Sequence, residues 1–331
     1  MTVAQPAKAM DRVLTLELVR VTERAAVAAA MVRGRGDEKL ADQAAVDAMR
    51  TELNRLDIKG RVVIGEGERD EAPMLYIGEE VGSGNGPEVD IALDPLEGTT
   101  ICAKNLPNSL AVIAITHRGG LLNAPDVYMD KIAIGPGYPE GLIDLDMPPQ
   151  EAISRLAKAK DVRPRDISAC ILDRPRHAKL IEAVRATGAS IRLIGDGDVA
   201  GIIHTTAPDD TGIDIYLGTG GAPEGVLAAA ALRCIGGQMC GRLIIDSDEK
   251  RARSERMGIS DPNRVYRTED MASGDVLFAA TGVTDGNLLQ GVSFNQGIAT
   301  THTIVTRSYT GTQRWVLAKH RLSGGKFGFI D

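Results

Sequence analysis

The chain has 331 residues, 43% of them hydrophobic and 25% charged, with 37 glycines and a net charge of −7 at pH 7. That length suggests two domains, or one large one, with ample core. An acidic balance without a long Lys/Arg run argues against nucleic acid as a partner, and no apolar run reaches bilayer-spanning length. No secretory leader pattern opens the sequence. The four cysteines, Cys102, Cys170, Cys234 and Cys240, lack zinc-type spacing and read as reduced thiols of a cytoplasmic protein, with a Cys234/Cys240 redox pair as the lesser alternative.

After a tail at 1–9, Leu14, Leu18, Val21, Ala25, Ala28 and Val32 recur at helical spacing until Gly34 and Gly36. Val46, Met49, Leu53 and Leu56 predict a second helix from about Asp42 to Leu56. Asp42 falls in or just before its first turn, where capping is the ordinary role of an aspartate. Arg61–Ile64 predicts a strand running into the acidic segment Gly65–Glu71, and strands follow at Val89–Asp94, Leu110–Thr116 and Lys131–Ile134. Past Gly141 the pattern alternates. Helices Pro149–Lys160, Pro175–Thr187, Val199–Thr206 and Glu224–Ile235 separate strands Ser168–Leu172, Ser190–Ile194, Asp214–Leu217 and Arg242–Ile245. That rhythm predicts an α/β domain with a largely parallel sheet. Asp246–Glu269 reads as loop or exposed helix, and strands at Val276–Ala280, Thr301–Ser308 and Gln313–Arg321 end the pattern. A division near residue 145 separates an N-terminal α+β domain (1–145) from a C-terminal α/β domain (146–331).

The chemistry concentrates after the strands. Val89, Ile91 and Leu93 share one face of a strand that ends on Asp94, and Pro95 stops it. Glu97 follows within reach, and Gly98-Thr99-Thr100 offers amides and hydroxyls suited to phosphate oxygens. Other loops beyond strands carry Glu66, Arg174-Pro-Arg176-His177, Asp196-Gly197-Asp198 and Gly218–Glu224. Ligands of open α/β sheets collect at such strand ends. One acidic turn is unremarkable, since Asp and Gly favour turns, but the set together points to a site.

Coulomb's law constrains that site. A sugar bisphosphate carries about four negative charges, and each bare carboxylate about 5 Å from one of them costs roughly 3 kcal/mol at an effective dielectric near 20. If the clusters converge on a phosphate, divalent cations must reverse the sign, and oxygen-only ligands favour Mg²⁺ or Mn²⁺ over zinc.

The stretches Gly-Arg-Gly-Asp-Glu-Lys-Leu-Ala-Asp42, Val-Ile-Gly-Glu66-Gly-Glu-Arg-Asp70, Asp94-Pro-Leu-Glu97-Gly-Thr99, Asn123-Ala-Pro-Asp-Val-Tyr128, Pro175-Arg176-His177, Asp196-Gly-Asp198 and Gly220-Gly221-Ala-Pro-Glu224 resemble the class II fructose-1,6-bisphosphatases of bacteria. These sit within the lithium-sensitive sugar and inositol phosphatase superfamily, and the likeness runs from about Asp11 to Arg321. It implies an αβαβα sandwich of the sugar phosphatase type, two domains with the active site between them. It implies metal ligands at Asp42, Glu66, Asp94, Glu97 and Glu224, holding two or three Mn²⁺ or Mg²⁺ ions. Thr99 would orient the attacking water, with Glu97 and Asp70 as further catalytic acids. Substrate contacts are implied at Glu97, Gly98, Thr99, Tyr128, Arg174, Pro175, Arg176, Asp196, Gly197, Asp198 and Gly221. Arg176 would clamp a phosphate while Asp196 and Asp198 accept sugar hydroxyls.

The implied reaction is removal of the 1-phosphate from fructose 1,6-bisphosphate, with sedoheptulose 1,7-bisphosphate as a related substrate. An inositol-type monophosphatase and a non-catalytic sugar-phosphate sensor are the alternatives. A homo-oligomer, dimer or tetramer, without nucleic-acid or membrane partners is implied. Two positions depart from the family pattern: Glu38 and Arg174 stand where Lys is frequent. Tyr128 alone would read as a packed aromatic. His177 adjoins the clamp, and His117, His204, His302 and His320 read as structural or surface residues.

Overall fold

Two amphipathic helices lead the chain into its first sheet. In the computed structural model, which describes residues 12–67 and 74–322, α1 (Arg12–Ala30) packs against α2 (Glu38–Leu53). The tail at 1–9 and Asp70 lie outside the described residues. Leu14, Leu18, Val21 and Ala25 are buried together with Val46, Met49 and Leu53, as their spacing predicts. The start of α2 differs from expectation. Asp37 is the N-cap, its carboxylate accepting a hydrogen bond from the Leu40 amide at 3.0 Å. Asp42 lies a full turn further on, so capping does not account for it.

Among the described residues the strands are, in chain order, β1 (Lys59–Ile64), β2 (Glu80–Val81), β3 (Glu88–Glu97), β4 (Leu110–His117), β5 (Tyr128–Ile134), β6 (Ser168–Leu172), β7 (Ser190–Ile194), β8 (Ile215–Gly221), β9 (Gln238–Leu243), β10 (Tyr266–Arg267), β11 (Leu277–Gly282), β12 (Ser293–Asn295), β13 (Ile298–Arg307) and β14 (Thr312–Arg321). They form an eight-stranded sheet, ordered β12-β13-β11-β4-β3-β1-β2 with β14 on β13, and a six-stranded sheet, ordered β10-β9-β5-β8-β6-β7. The first sheet thus draws strands from both ends of the chain.

Among the described residues the α-helices between the strands are α3 (Thr99–Ala103), α4 (Pro149–Ala159), α5 (Ala178–Arg185), α6 (Asp198–Ile203), α7 (Pro208–Thr211), α8 (Ala222–Ile235), α9 (Asp248–Arg256) and α10 (Thr268–Met271). Three cores stack through the molecule. One joins α1 and α2 to the first sheet, the middle one holds α6 and α8 between the sheets, and the third joins α4 and α5 to the outer face of the second sheet. The result is the expected αβαβα sandwich. Val226, Leu227 and Ala228–Leu232 are buried all round α8, and the small alanines let both sheets approach one helix.

Three expectations need correction. The second sheet is mixed, because only β6, β7 and β8 pair in parallel. β5 inserts between β8 and β9, antiparallel to both. Since β8 and β9 therefore run the same way, the alternating rhythm reports their direction but not the strand that divides them. Pro95 does not stop β3. Asp94 pairs with Val112 and Glu97 with Leu110, so three steps on β3 match two on β4 and a bulge absorbs the proline, which has no N–H to donate. Finally, Gly218–Gly221 is strand rather than loop: β8 continues to Gly221 opposite Tyr128 and passes directly into α8.

Replacing Asp37 by Ala should lower stability by about 1 kcal/mol through loss of the cap, whereas Asp42→Ala should show no such loss. Denaturant midpoints of the two variants check this. Equal destabilisation would contradict the assignment of Asp37 as the cap.

Candidate active site

The bulge in β3 sets the geometry of the acids. Asp94 accepts a hydrogen bond from the Leu96 amide at 2.9 Å across the bulge, and Glu97 follows at the strand's end, 5% exposed. Gly98, at φ +80 and ψ +59, then turns the chain into α3, whose first residue is Thr99. The Glu97 backbone carbonyl accepts from the Ser109 hydroxyl, and its side-chain Oε1 accepts from the Val199 amide at 3.0 Å, in the first turn of α6. A side chain from the first sheet is thereby tied to a helix between the sheets.

Around this edge lies a cavity of about 400 Å³ lined by Asp42 of α2, Glu66 beyond β1, Asp94, Glu97, Gly98, Thr99, Asp126, Asp196 and Glu224 of α8. Among the described residues no Lys or Arg lines it. The carboxylates ring the space rather than clasp a point, since no three of the described His, Cys, Asp or Glu side chains form a closed cage for an ion. Their chemistry nevertheless fits hard cations, which take oxygen donors. Oε2 of Glu224 is buried without a hydrogen-bond partner. A Cβ at Gly221 would lie 1.9 Å from that same oxygen, so only glycine there lets the carboxylate stand.

Burial first, and repulsion second, show in the acidities of these carboxylates. Burial, then the charges of Asp94 and Asp42, push Glu66 up to about 9. Burial raises Asp94 to about 6, although hydrogen bonds from Glu97 and Leu96 oppose it. Burial, followed by Asp94, Asp198 and Glu224, drives Glu97 well above the ordinary carboxylate range. Glu224 rises to about 7 through burial and Asp198, with Lys131 opposing, and burial alone raises Asp42. Such a set holds protons when no cation is present to replace them.

A second cavity of about 420 Å³ shares Asp126, Asp196 and Glu224 with the first. Its other walls include Tyr128, Arg174, Arg176, Asp198, Gly220, Gly221 and Lys250. The Arg176 guanidinium lies 4.7 Å from the centre of the Tyr128 ring, and that ring is 49% exposed, so Tyr128 is not a packed core aromatic. Asp196 accepts from the Gly197 amide at 3.0 Å. Asp198 is buried, its Oδ2 receiving the Lys131 ammonium at 2.5 Å and the Tyr216 hydroxyl at 3.2 Å. Among the described residues the charged lining of one cavity is therefore entirely acidic, and its neighbour carries three cationic side chains.

The family model for bacterial, glpX-encoded fructose-1,6-bisphosphatase matches residues 12–320. The chain belongs to the bacterial, glpX-encoded fructose-1,6-bisphosphatase family. A D-fructose 1,6-bisphosphatase class 2/sedoheptulose 1,7-bisphosphatase of Synechococcus sp. (strain JA-3-3Ab) is 46% identical over 340 residues, covering 95% of this chain and 97% of its own. The protein of the same name from Synechococcus elongatus (strain ATCC 33912 / PCC 7942 / FACHB-805) is 44% identical over 336 residues, covering 94% and 97%. Among solved structures, the extragenic suppressor protein suhB from Bartonella henselae overlaps 59% of this chain and 74% of its own at 16% identity, with a TM-score of 0.33.

In this fructose-1,6-bisphosphatase-family chain the sequence reasoning missed one cavity-lining acid and two groups that hold residues beside the cavities. Asp126 lines both cavities and stood unassigned in Asn123–Tyr128. Lys131 is fully buried, and its signal was a lysine at a core position of an apolar strand. Asp130 holds the Thr219 hydroxyl across the β5–β8 pair. Glu38, one of the two departures, is exposed in the first turn of α2 and near enough to add to the repulsion on Asp196. The four cysteines are free and buried; Cys234 and Cys240 belong to different cores, on opposite faces of the second sheet, which removes the redox-pair alternative.

The raised acidities have a stability consequence of definite sign. Glu66 takes up its proton in the folded state near pH 9 and in an unfolded chain near 4.5, so folding loses stability as pH rises across that window. In the presence of a chelator, Glu66→Gln should melt several degrees above the wild type at pH 8.5 and alongside it at pH 4.5. A variant less stable than wild type at pH 8.5 would contradict this.

Proposed function

We propose that this chain hydrolyses the 1-phosphate of fructose 1,6-bisphosphate to fructose 6-phosphate and phosphate, and acts also on sedoheptulose 1,7-bisphosphate. Its family supports the reading, as do the names of its relatives. The observation that carries it is the pairing of two adjoining cavities, one ringed by carboxylates and one carrying Arg174, Arg176 and Lys250. A bisphosphate presents one phosphate to each. An inositol-type monophosphatase would leave the cationic cavity without a phosphate to bind.

Asp42, Glu66, Asp94, Glu97 and Glu224 are the residues that would hold two or three divalent cations, Mn²⁺ or Mg²⁺. Bound there, these supply charge neutralisation of the phosphate oxygens and acidification of water. The chain's own part is positional. Thr99 orients the attacking water at the start of α3, and the backbone of Gly98 leaves room for the phosphate. Arg176 clamps the distal phosphate from above Tyr128, with Arg174 beside it, while Asp196 and Asp198 receive sugar hydroxyls. Asp70, outside the described residues, is assigned a supporting catalytic role on the resemblance alone. Enzymatic acceleration of phosphate monoester hydrolysis reaches about 10²¹-fold, roughly 28 kcal/mol, and one general base supplies only about 10²–10⁴-fold. Charge stabilisation and positioning must carry the rest.

The acids lie mainly in the 1–145 part and the substrate contacts mainly in the 146–331 part, with Glu224 and Tyr128 reaching across. We infer a cytoplasmic homo-oligomer. Four buried free thiols suit a reducing compartment, and Trp315 and Leu317 stand 50% and 64% exposed on β14, where a second copy would cover them.

Phosphate release from fructose 1,6-bisphosphate with Mn²⁺, abolished by chelation, is the expected result; release of none from either bisphosphate would refute the function. Glu97→Gln should lower turnover by at least ~10³-fold with an unchanged circular dichroism spectrum. Retention of most activity by that variant would overturn the role given to Glu97.

A further inference from the structure

His177 is not used by the chemistry described above, yet both its ring nitrogens are engaged. The turn Pro175–His177 follows β6 and doubles back on it, so that Nδ1 lies 2.7 Å from the Leu172 carbonyl. That carbonyl can only accept, which places the proton on Nδ1 and leaves Nε2 as an acceptor. Nε2 receives the Thr219 amide at 2.8 Å. Thr219 is the only residue of the run Gly218-Thr-Gly-Gly221 with a side chain, and all its polar groups are used. Its amide is held by His177 and its hydroxyl by Asp130 of β5. Its carbonyl accepts from Arg176 twice, from Nε at 3.2 Å and Nη2 at 2.7 Å. The imidazole edge also explains a glycine: at Gly218, φ +150, a Cβ would lie 3.3 Å from both Cε1 and Nε2 of His177.

We propose that His177 is a positioning residue for phosphate recognition, fixing through Thr219 the peptide unit on which the Arg176 guanidinium rests. The inference builds on the reading of Arg176 as the clamp for the distal phosphate. The arrangement aligns three links: imidazole to amide, the same residue's carbonyl to guanidinium, and guanidinium to the face of Tyr128. The Thr219 N–H and C=O lie in successive peptide units joined at its Cα; with the N–H held by His177 and the side chain by Asp130, that Cα is fixed from two sides, and the carbonyl that anchors Arg176 keeps its direction. An arginine already anchored loses less freedom when it takes up a phosphate. The charges facing the ring are Arg176 and Arg174 on its own turn and Asp130 from β5; burial is the largest influence and keeps the ring neutral at pH 7.

The two amide substitutions separate this role from a merely structural one. A Gln side chain at this position reaches the place of Nε2 and can accept from Thr219, whereas Asn reaches only the place of Nδ1 and can bond only Leu172. Each keeps half of the imidazole's bonds, so a structural role predicts equal harm. The positioning role predicts that His177→Asn raises KM for fructose 1,6-bisphosphate roughly tenfold with kcat within about threefold, while His177→Gln stays within about twofold of wild type. Equal KM values for the two variants, beside a raised KM in Arg176→Ala, would overturn the inference and leave the clamp standing. An unchanged KM in Arg176→Ala would overturn the clamp and the inference together. Should His177→Asn not fold, the pH dependence of KM decides between wild type and His177→Gln. A steeper rise below pH 6.5 in the wild type supports the role, and superimposable profiles refute it.

Discussion

Carboxylates that repel one another are kept together here because four separate elements of the fold deliver them to one cavity. Asp42 belongs to α2, Glu66 to the bend just beyond β1, Asp94 and Glu97 to the bulged end of β3, and Glu224 to the first turn of α8. Those on α2, β3 and α8 cannot move far without disturbing a core. The cost of burying them side by side appears in their acidities, with Glu66 raised to about 9 and Glu224 to about 7, burial being the larger cause and neighbouring carboxylates the next. In a water-filled cleft such acids would ionise and spread apart; held by packed helices and strands, they keep protons or exchange them for cations. In the proposed function, cation binding and instability share one origin, a pattern common where function requires charges that folding alone would not gather.

The sandwich supplies the rigidity. α8 is buried on every side between two sheets and delivers Glu224 at its N-terminal end, while α6 delivers Asp198 and receives Glu97 through the Val199 amide. Lys131, buried in the central strand of the second sheet, binds Asp198 and also the Gly221 carbonyl at 2.8 Å. A single internal cation thus joins the starts of two helices beneath the site. An unpaired charge at that depth would be costly, so removing either partner should harm the fold more than removing both.

Much of this was legible in the sequence. The faces of α1 and β3 follow from spacing, since Val89, Ile91 and Leu93 point into the core beneath α1 and α2. Strands Ser168–Leu172 and Ser190–Ile194 fall where alternation predicts them. The Asp94-Pro-Leu-Glu97-Gly-Thr99 motif points to the acidic cavity only together with the other acidic strand ends, since by itself an acid–proline–acid–glycine run also suits a turn. What periodicity cannot carry is pairing between distant segments. The insertion of β5 between β8 and β9, the Lys131–Asp198 pair and the His177–Thr219 bond each join residues far apart in the chain. The misplaced helix start has a local cause. Asp37 and Asp42 both suit a first turn, and the apolar stripe fixes the helix face without fixing its end.

The central claim is that the cavity exchanges protons for divalent cations. Calorimetric titration of Mn²⁺ into the metal-free protein at pH 7, repeated in buffers of different ionisation enthalpy, measures that exchange directly. The account predicts saturable binding with release of about one proton or more per chain, drawn from Glu66 and Glu97. Binding without proton release, or no binding at all, would contradict it.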